Sequence, residues 1–340
     1  MKTHQQMAQA KNGKHEKKIL ILTEEGDVHA DYVIKALKRL KVACIRLHTE
    51  KLVENTHYKL KPFQGSLTGN IEILDSKKAF HLNEISGVYY RRPKRPMAPE
   101  AITDFGKKQF IESETEALLN GFYGLIGATK TWVNHPICNR NAGNKIEQLQ
   151  RALSLGLCIP ETLVTNQPKE AHEFFLQQRK NVVCKTLKQE LVSIDGHNHF
   201  IFTHLLPSKT NKKTFQDVQL GSSLLQANIP KATDVRVTLV KDVCFACEIE
   251  SQGKKESKID WRIVSPYDLP HKIIELPRLV VKKLFDLQKS YNLLSCQIDL
   301  IKTKGNEFFF LELNPNGQWL WLELMTGFPI SQTIAKALAS

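Results

Sequence analysis

Several signatures are missing, and each absence removes a class of function. No apolar run approaches the roughly 20 residues of a membrane-spanning helix. The opening MKTHQQMAQAKNGKHEKK has no apolar stretch of the kind a secretory signal needs, and residues 1–16 read as a disordered polar tail. There is no G-x-G-x-x-G for a dinucleotide, no H-E-x-x-H for zinc and no G-x-S-x-G for a hydrolase. Residues 124–131 (GLIGATKT) suggest a phosphate loop but fail the G-x-x-x-x-G-K-[ST] spacing. A disulfide framework is also lacking. The seven cysteines are an odd number and lie scattered from Cys44 to Cys296, as free thiols in a reducing cytoplasm would. Cys244 and Cys247 form a C-x-x-C with no second pair, inside an apolar run, and read as strand cysteines.

Positive charge, by contrast, is in excess. Lys and Arg number 48 against 35 Asp and Glu, which predicts an anionic partner. Zinc-finger spacing, RNP aromatics and a basic zipper are all absent, so nucleic acid is disfavoured, and nucleotide phosphates or an acidic peptide account for the charge equally well. With 340 residues, 41% of them hydrophobic, the chain can bury a sizeable core spread over two or three subdomains.

Residues 18–22 form a short apolar strand and residues 30–41 carry apolar side chains at helical spacing (Val33, Ile34, Leu37, Leu40). Residues 42–47 return as a strand, which makes a βαβ unit and predicts a Rossmann-like parallel sheet. Further strands are expected at residues 66–74 and 87–90. The run Tyr89-Tyr-Arg-Arg-Pro-Lys-Arg95 then leaves a strand end, either as a solvated edge or as an anion-binding corner. A long helix over residues 104–127 is expected to bury Phe110, Ala117, Leu118 and Phe122. Asn144 caps a helix over residues 145–155, placing Lys145 in the first turn, where anions are favoured. Lys185 sits in the strand of residues 181–187 among apolar neighbours, costly to bury without an anionic partner. Residues 193–198 (SIDGHN) form a polar turn. Asp234 and Arg236 lie two apart on a strand and share a face. Residues 276–291 are amphipathic, with Leu279, Val280, Leu284, Leu287 and Gln288 as the inner stripe.

Two apolar runs, residues 296–301 and 308–313, flank the tetrad Thr303-Lys-Gly-Asn306, a hairpin signal. Folding there brings Asp299 roughly opposite Phe310 to Glu312, with Glu312 and Asn314 pointing the same way. Asp299, Glu312 and Asn314 then converge as hard oxygen donors suited to Mg²⁺, unless they are only the polar edge of a half-buried hairpin.

An Asp on one strand with Glu-x-Asn ending the next resembles the metal-binding end of ATP-grasp ligases. The continuation Asn314-Pro-Asn-Gly-Gln-Trp-Leu-Trp321 narrows this to ATP-grasp enzymes that crosslink ribosomally made peptides, the microviridin-type or graspetide ligases. Asp234-x-Arg236, Asp260-Trp-Arg262 and Tyr-Arg-Arg-Pro93 resemble the same family, and the likeness covers about residues 17–338. It implies an α/β ATP-grasp fold, with an N-terminal Rossmann-like pre-ATP-grasp domain at 17–133, a central subdomain at 134–225 and a C-terminal subdomain at 226–340. The implied cofactors are ATP and Mg²⁺. Lys145 and Lys185 would meet ATP phosphates, Gln226, Ala227, Asn228 and Ile229 the adenine, and residues 193–198 would cover the triphosphate. Asp234 and Arg236 would stand at the reacting centre, the alternative being a structural ion pair. Arg91, Arg92, Arg95, Asp260 and Arg262 would contact the peptide. The implied reaction phosphorylates Asp or Glu side chains of a precursor peptide, leader plus acidic core, and joins them to Ser/Thr hydroxyls or Lys amines. A glutamate or amino-acid ligase of the same fold and a non-catalytic nucleotide-dependent binding protein are the competing readings. The family also suggests a homodimer.

Overall fold

The computed structural model describes residues 17–63, 65–127, 129–188 and 191–340. They divide into two compact units, one of the residues up to 132 with 338–340 and one of residues 133–337.

In the first unit, Lys18–Thr23 lies parallel to both Cys44–His48 and Ile85–Arg91, with the helix Val28–Arg39 between the first two strands. This is the expected βαβ start. Asp27 caps the helix by accepting from the Ala30 N–H at 2.8 Å. Thr56–Phe63, Ser66–Ile73 and Lys78–His81 form a separate antiparallel meander. Its outer strands were not foreseen, because their polar and charged residues leave little alternation to read. The long helix Phe105–Ile126 buries Leu119, Phe122, Tyr123 and Ile126. Phe110 (68% exposed) and Ala117 lie outside that stripe, contrary to expectation, because only the C-terminal half of the helix packs on the core.

Among the described residues the second unit holds two larger antiparallel sheets and a two-stranded hairpin. The smaller of the two sheets orders His204–Leu205, Val182–Lys185, Ser223–Ala227 and Thr162–Thr165, with Pro168–Gln177 contributing Phe174 and Phe175 to its core. The larger orders His271–Ile273, Val243–Ile249, Lys231–Val240, Ser295–Thr303 and Phe308–Asn314. One face of that sheet packs Val235, Val237, Ile298, Leu300, Phe310 and Leu313 against the helix Arg278–Ser290. Leu284, Leu287 and Gln288 turn inward as expected, whereas Leu279 is 63% exposed. It sits in the first turn of that helix. Of the SIDGHN segment only Asp195 and Gly196 form a turn; Ser193, Ile194, His197 and Asn198 belong to the strands it joins, Leu191–Ile194 and His197–Phe200, because the backbone pairs through the polar stretch.

The sheet also contains two irregularities that simple alternation does not predict. Counting from the turn, Lys302, Ile301 and Leu300 face Phe308, Phe309 and Phe310, and then Asp299 faces Glu312. Leu311 is therefore the extra residue of a β-bulge. A second register shift lies between Lys231 and Thr233.

Candidate active site

The bulge at Leu311 organises the site. In an unbroken ladder Asp299 would face Leu311, and Glu312 would join the face that buries Phe310. The extra residue reverses that parity. Phe310 stays in the core opposite Leu300, while Glu312 and Asn314 turn to the face carrying Asp299 and Gln297. Asn314 donates to Glu312 Oε1 at 3.2 Å.

Cations converge on this face from separate elements. Arg236, paired across the sheet with Asp299, donates through Nη1 to both carboxylate oxygens at 2.7 and 2.8 Å. Its Nη2 donates to the Gln318 carbonyl at 3.1 Å. Lys145, in the helix capped by Asn144, sets its ammonium 3.2 Å from Glu312 Oε2 and donates to the Thr186 carbonyl at 3.1 Å. Arg262 grips Asp260 at 2.8 and 3.0 Å and lies 3.6 Å from Glu312 Oε1. Asp260 also accepts from the Thr203 N–H at 3.0 Å.

Burial pushes the Glu312 carboxyl upward, but Lys145, Arg262 and Lys185 outweigh it and hold the group at about 2. Asp299 moves the other way. Burial, reinforced by the Glu312 charge opposite, raises it despite Arg236. Burial also pulls the Lys185 ammonium down to about 8, against the favourable charge of Glu312. Among the described residues no carboxylate lies within ion-pair distance of Lys185, so the anionic partner expected from sequence is not supplied by these side chains.

One pocket gathers Lys145, Lys185, Gln226, Ala227, Asn228, Ile229, Asp234, Asp260, Arg262, Asp299 and Glu312. Arg236 and Asn314 touch it through Asp299 and Glu312. At the strand end, the Ala227 N–H donates to the Glu161 carbonyl and the Asn228 N–H to the Asn181 carbonyl. The Gln226 side chain donates to Thr162 Oγ1 at 2.9 Å.

Asp234 and Arg236 are not paired with each other. Asp234 receives Lys231 Nζ at 2.7 and 2.9 Å and Ser251 Oγ at 2.5 Å, while Arg236 is committed to Asp299. Lys231, only 6% exposed, also donates to the Ile259 carbonyl. Sequence reasoning missed it. Residues i and i+3 of a regular strand face opposite ways, and the register shift between Lys231 and Thr233 brings Lys231 to the side of Asp234.

The arginine run behaves differently. Arg91 is 2% exposed, with its Nε 3.4 Å from Asp27 Oδ2, which removes it from the surface contacts proposed for it. The cause is its position at the end of a central parallel strand, where a charge must be paired to be buried. Arg92 and Arg95 belong to the same unit, and Arg95 is 87% exposed.

Among the described residues no three His, Cys, Asp or Glu side chains cluster as a metal site. A set of two carboxylates and one amide still fits Mg²⁺, which takes only one or two carboxylates from protein and fills its shell with water and phosphate oxygens. The mutual repulsion between Asp299 and Glu312 is what a divalent cation on their shared face would offset.

Residues 18–140 match the family model of the MvdD pre-ATP grasp domain. The fold resembles a Chryseobacterium gregarium RiPP-associated ATP-grasp ligase in complex with ADP and a leader and core peptide. That match has a TM-score of 0.87 and 27% identity and covers 95% of this chain and 96% of that one. Macrocyclase MdnC from Microcystis aeruginosa MRC, bound with precursor peptide MdnA, matches at TM-score 0.81 and 28% identity over 95% and 99% of the two chains. MdnB from the same organism gives 0.76 and 26% over the same shares. No curated protein matches by sequence search. Residues 18–140 thus match a pre-ATP grasp domain, and over nearly its whole length the chain has the fold of ATP-grasp ligases, similar to members of the RiPP-associated branch.

Proposed function

We propose that the protein is a macrocyclising ligase. It activates Asp or Glu side chains of a ribosomal precursor peptide with ATP and joins them to Ser/Thr hydroxyls or Lys amines of the same peptide. The observation that carries this reading is the bulge-built face on which Asp299, Glu312 and Asn314 meet Lys145, Arg236 and Arg262. Asp299, Glu312 and Asn314 would hold Mg²⁺. Bound Mg·ATP supplies an activated phosphoryl group whose developing charge the metal and neighbouring cations offset.

The remaining roles belong to the chain's own side chains. Lys145 and Lys185 offer ammonium groups to phosphate oxygens. The Ala227 carbonyl and Ile229 N–H are the backbone groups assigned to the adenine, since the Ala227 and Asn228 N–H groups already have protein partners. Arg236 presents permanently charged donors to an oxyanion at the peptide carbonyl. Asp234, raised by burial and oriented by Lys231 and Ser251, accepts the proton of the attacking hydroxyl or amine. Asp260 and Arg262, lining the same pocket, are assigned to the peptide, with Arg262 offering the positive charge and Asp260 orienting it. The working subdivision is 17–133, 134–225 and 226–340, and the working location is the cytoplasm. Among the described residues no helix is long and apolar enough to cross a membrane.

The test is reconstitution with ATP, Mg²⁺ and a precursor peptide whose core carries Ser/Thr or Lys beside Asp/Glu. Loss of one water per bond formed, matched by ADP release, supports the assignment. ADP release with free glutamate or another amino acid as the only acceptor would replace it with the amino-acid ligase reading.

A further inference from the structure

Two buried carboxamides outside the pocket hold the hairpin that carries the site. Gln148, 2% exposed, lies one helical turn after Lys145. Its Oε1 accepts from the Leu313 N–H at 2.8 Å, and its Nε2 donates to the Leu313 carbonyl at 2.7 Å and to the Ala142 carbonyl at 2.6 Å. Phe308–Asn314 is an edge strand of its sheet, bridged on its outer side by Cys158 at Phe309, and among the described residues no strand pairs with Leu313 on that side. One side-chain amide therefore stands in for a strand at the residue between Glu312 and Asn314. Asn134, also 2% exposed, does the same at the hairpin's open end. Its Oδ1 accepts from the Leu294 and Ser295 N–H groups at 2.9 and 3.0 Å. Its Nδ2 donates to the Ser295 carbonyl at 2.8 Å and the Pro315 carbonyl at 2.7 Å. Pro315 directly follows Asn314.

We infer that Asn134 and Gln148 are positioning residues that fix the aim of Glu312 and Asn314, through bonds to the backbone on either side of them. A bulge loosens a ladder locally, and among the described residues no strand pairs on the outer side of this one at Leu313. Without the two amides the backbone from Glu312 to Pro315 can rotate about the bulge and spoil the shared face. Gln148 also ties Lys145 and Glu312 into one register, because the helical turn bearing Lys145 is the turn bonded to Leu313. The inference rests on the metal role proposed for Glu312 and Asn314.

The test uses Gln148→Met, which keeps size but can neither donate to nor accept from Leu313, together with Asn134→Asp, which keeps the acceptor and loses the donors. Mn²⁺ replaces Mg²⁺ as the probe, and its binding in the presence of ADP is read by electron paramagnetic resonance. Hydrogen exchange of the Leu313 amide and the melting temperature are followed alongside. The expected result for Gln148→Met is faster Leu313 exchange and a Mn²⁺ dissociation constant raised at least about tenfold, the usual size of an outer-shell effect. Asn134→Asp should weaken Mn²⁺ in the same direction. A lower melting temperature with unchanged Mn²⁺ affinity would overturn the inference and leave the amides purely structural. Failure of the metal reading itself shows separately, as unchanged Mn²⁺ binding in Glu312→Gln.

Discussion

The chain has two concentrations of positive charge, and they differ in what surrounds them. The run Arg91–Arg95 is dense in sequence, yet most of it is neutralised nearby. Arg91 faces Asp27, Lys94 lies 2.8 Å from Glu24, and Arg95 lies 3.8 Å from Glu116. Lys145, Lys185 and Arg262 come from separate stretches and Lys231 and Arg236 from one strand, and the fold gathers them at one pocket with Asp234, Asp260, Asp299 and Glu312, Arg236 through its bond to Asp299. Four cations and four carboxylates line the pocket, and Lys185 among them has no carboxylate within ion-pair distance among the described residues, which leaves it available to an added anion. Density along a sequence is thus a poor guide to an anion site, whereas convergence in space is a good one.

Removing the pocket's central carboxylate should give the largest effect. Glu312→Gln keeps shape and loses the charge that holds Lys145 and Arg262. ADP-forming ligation should fall by about 10³-fold or more, the scale at which essential charge-stabilising groups act. Asp299→Asn should behave similarly. Wild-type turnover of peptide to its dehydrated product in both variants would mean that the shared face is only a polar edge.

Asp234→Asn should come next, slowing ring closure by about 10²–10³-fold, as loss of general-base help does. Peptide-dependent formation of an acyl phosphate, trapped with hydroxylamine, should persist. Arg236→Ala should suppress the trapped species too. Normal crosslinking by Asp234→Asn would reduce Lys231–Asp234–Ser251 to a structural cluster.

These assignments show how much the sequence disclosed. The parallel βαβ start, the Asn144 cap and the hairpin turn were readable because capping, periodicity and turn chemistry are local. The sequence offers Asp299 and Glu312 as opposed carboxylates of a hairpin, but what places them on one face is the bulge at Leu311, and Phe-Phe-Phe-Leu-Glu carries no mark of which residue is extra. Lys231 escaped for the same reason. Asn134 and Gln148 read as an ordinary polar residue and a helix residue, because their partners lie about 160 residues away. Phe110 and Arg91 were misjudged in opposite directions, since hydrophobicity and charge indicate preference and burial is decided by what packs above.

Arg91→Leu sharpens the comparison from the other side. It should destabilise the fold by roughly 3 kcal/mol, because the Asp27 carboxylate stays buried without its guanidinium. Denaturant unfolding reads the loss, and turnover per folded molecule should be unchanged. A variant as stable as wild type but with weaker peptide binding would return Arg91 to the peptide surface.

The Lys185 ammonium gives a pH signature. Its free-enzyme value of about 8 lies below that of an ordinary lysine, because burial disfavours the charge. Bound phosphates favour the protonated form and raise the value in the complex. ATP affinity should therefore be flat below about pH 8 and fall up to about tenfold per pH unit above it, until the bound form itself titrates. Titration calorimetry from about pH 7 to about pH 10 measures this, and Lys185→Met should abolish the slope. The same slope in Lys185→Met would assign it to another group.

The smallest effect is expected at Arg95. Its side chain is 87% exposed and its contact with Glu116, itself 45% exposed, is long at 3.8 Å. A charge so placed is screened over about 8–10 Å near physiological ionic strength and contributes at most about 1 kcal/mol to a pair. Arg92→Glu/Arg95→Glu should therefore weaken binding of an acidic precursor peptide by no more than about fivefold at low salt, and the difference should vanish at high salt. ATP affinity should stay unchanged at every salt concentration, since neither arginine is among the residues that line the pocket. Peptide dissociation constants measured by fluorescence anisotropy across a salt series decide the matter. A loss that persists at high salt would mean that the two arginines make direct, desolvated contacts with the peptide, and the dense run would then be a binding site as much as the dispersed one. Equal weakening of peptide and ATP would tie the run to the pocket itself.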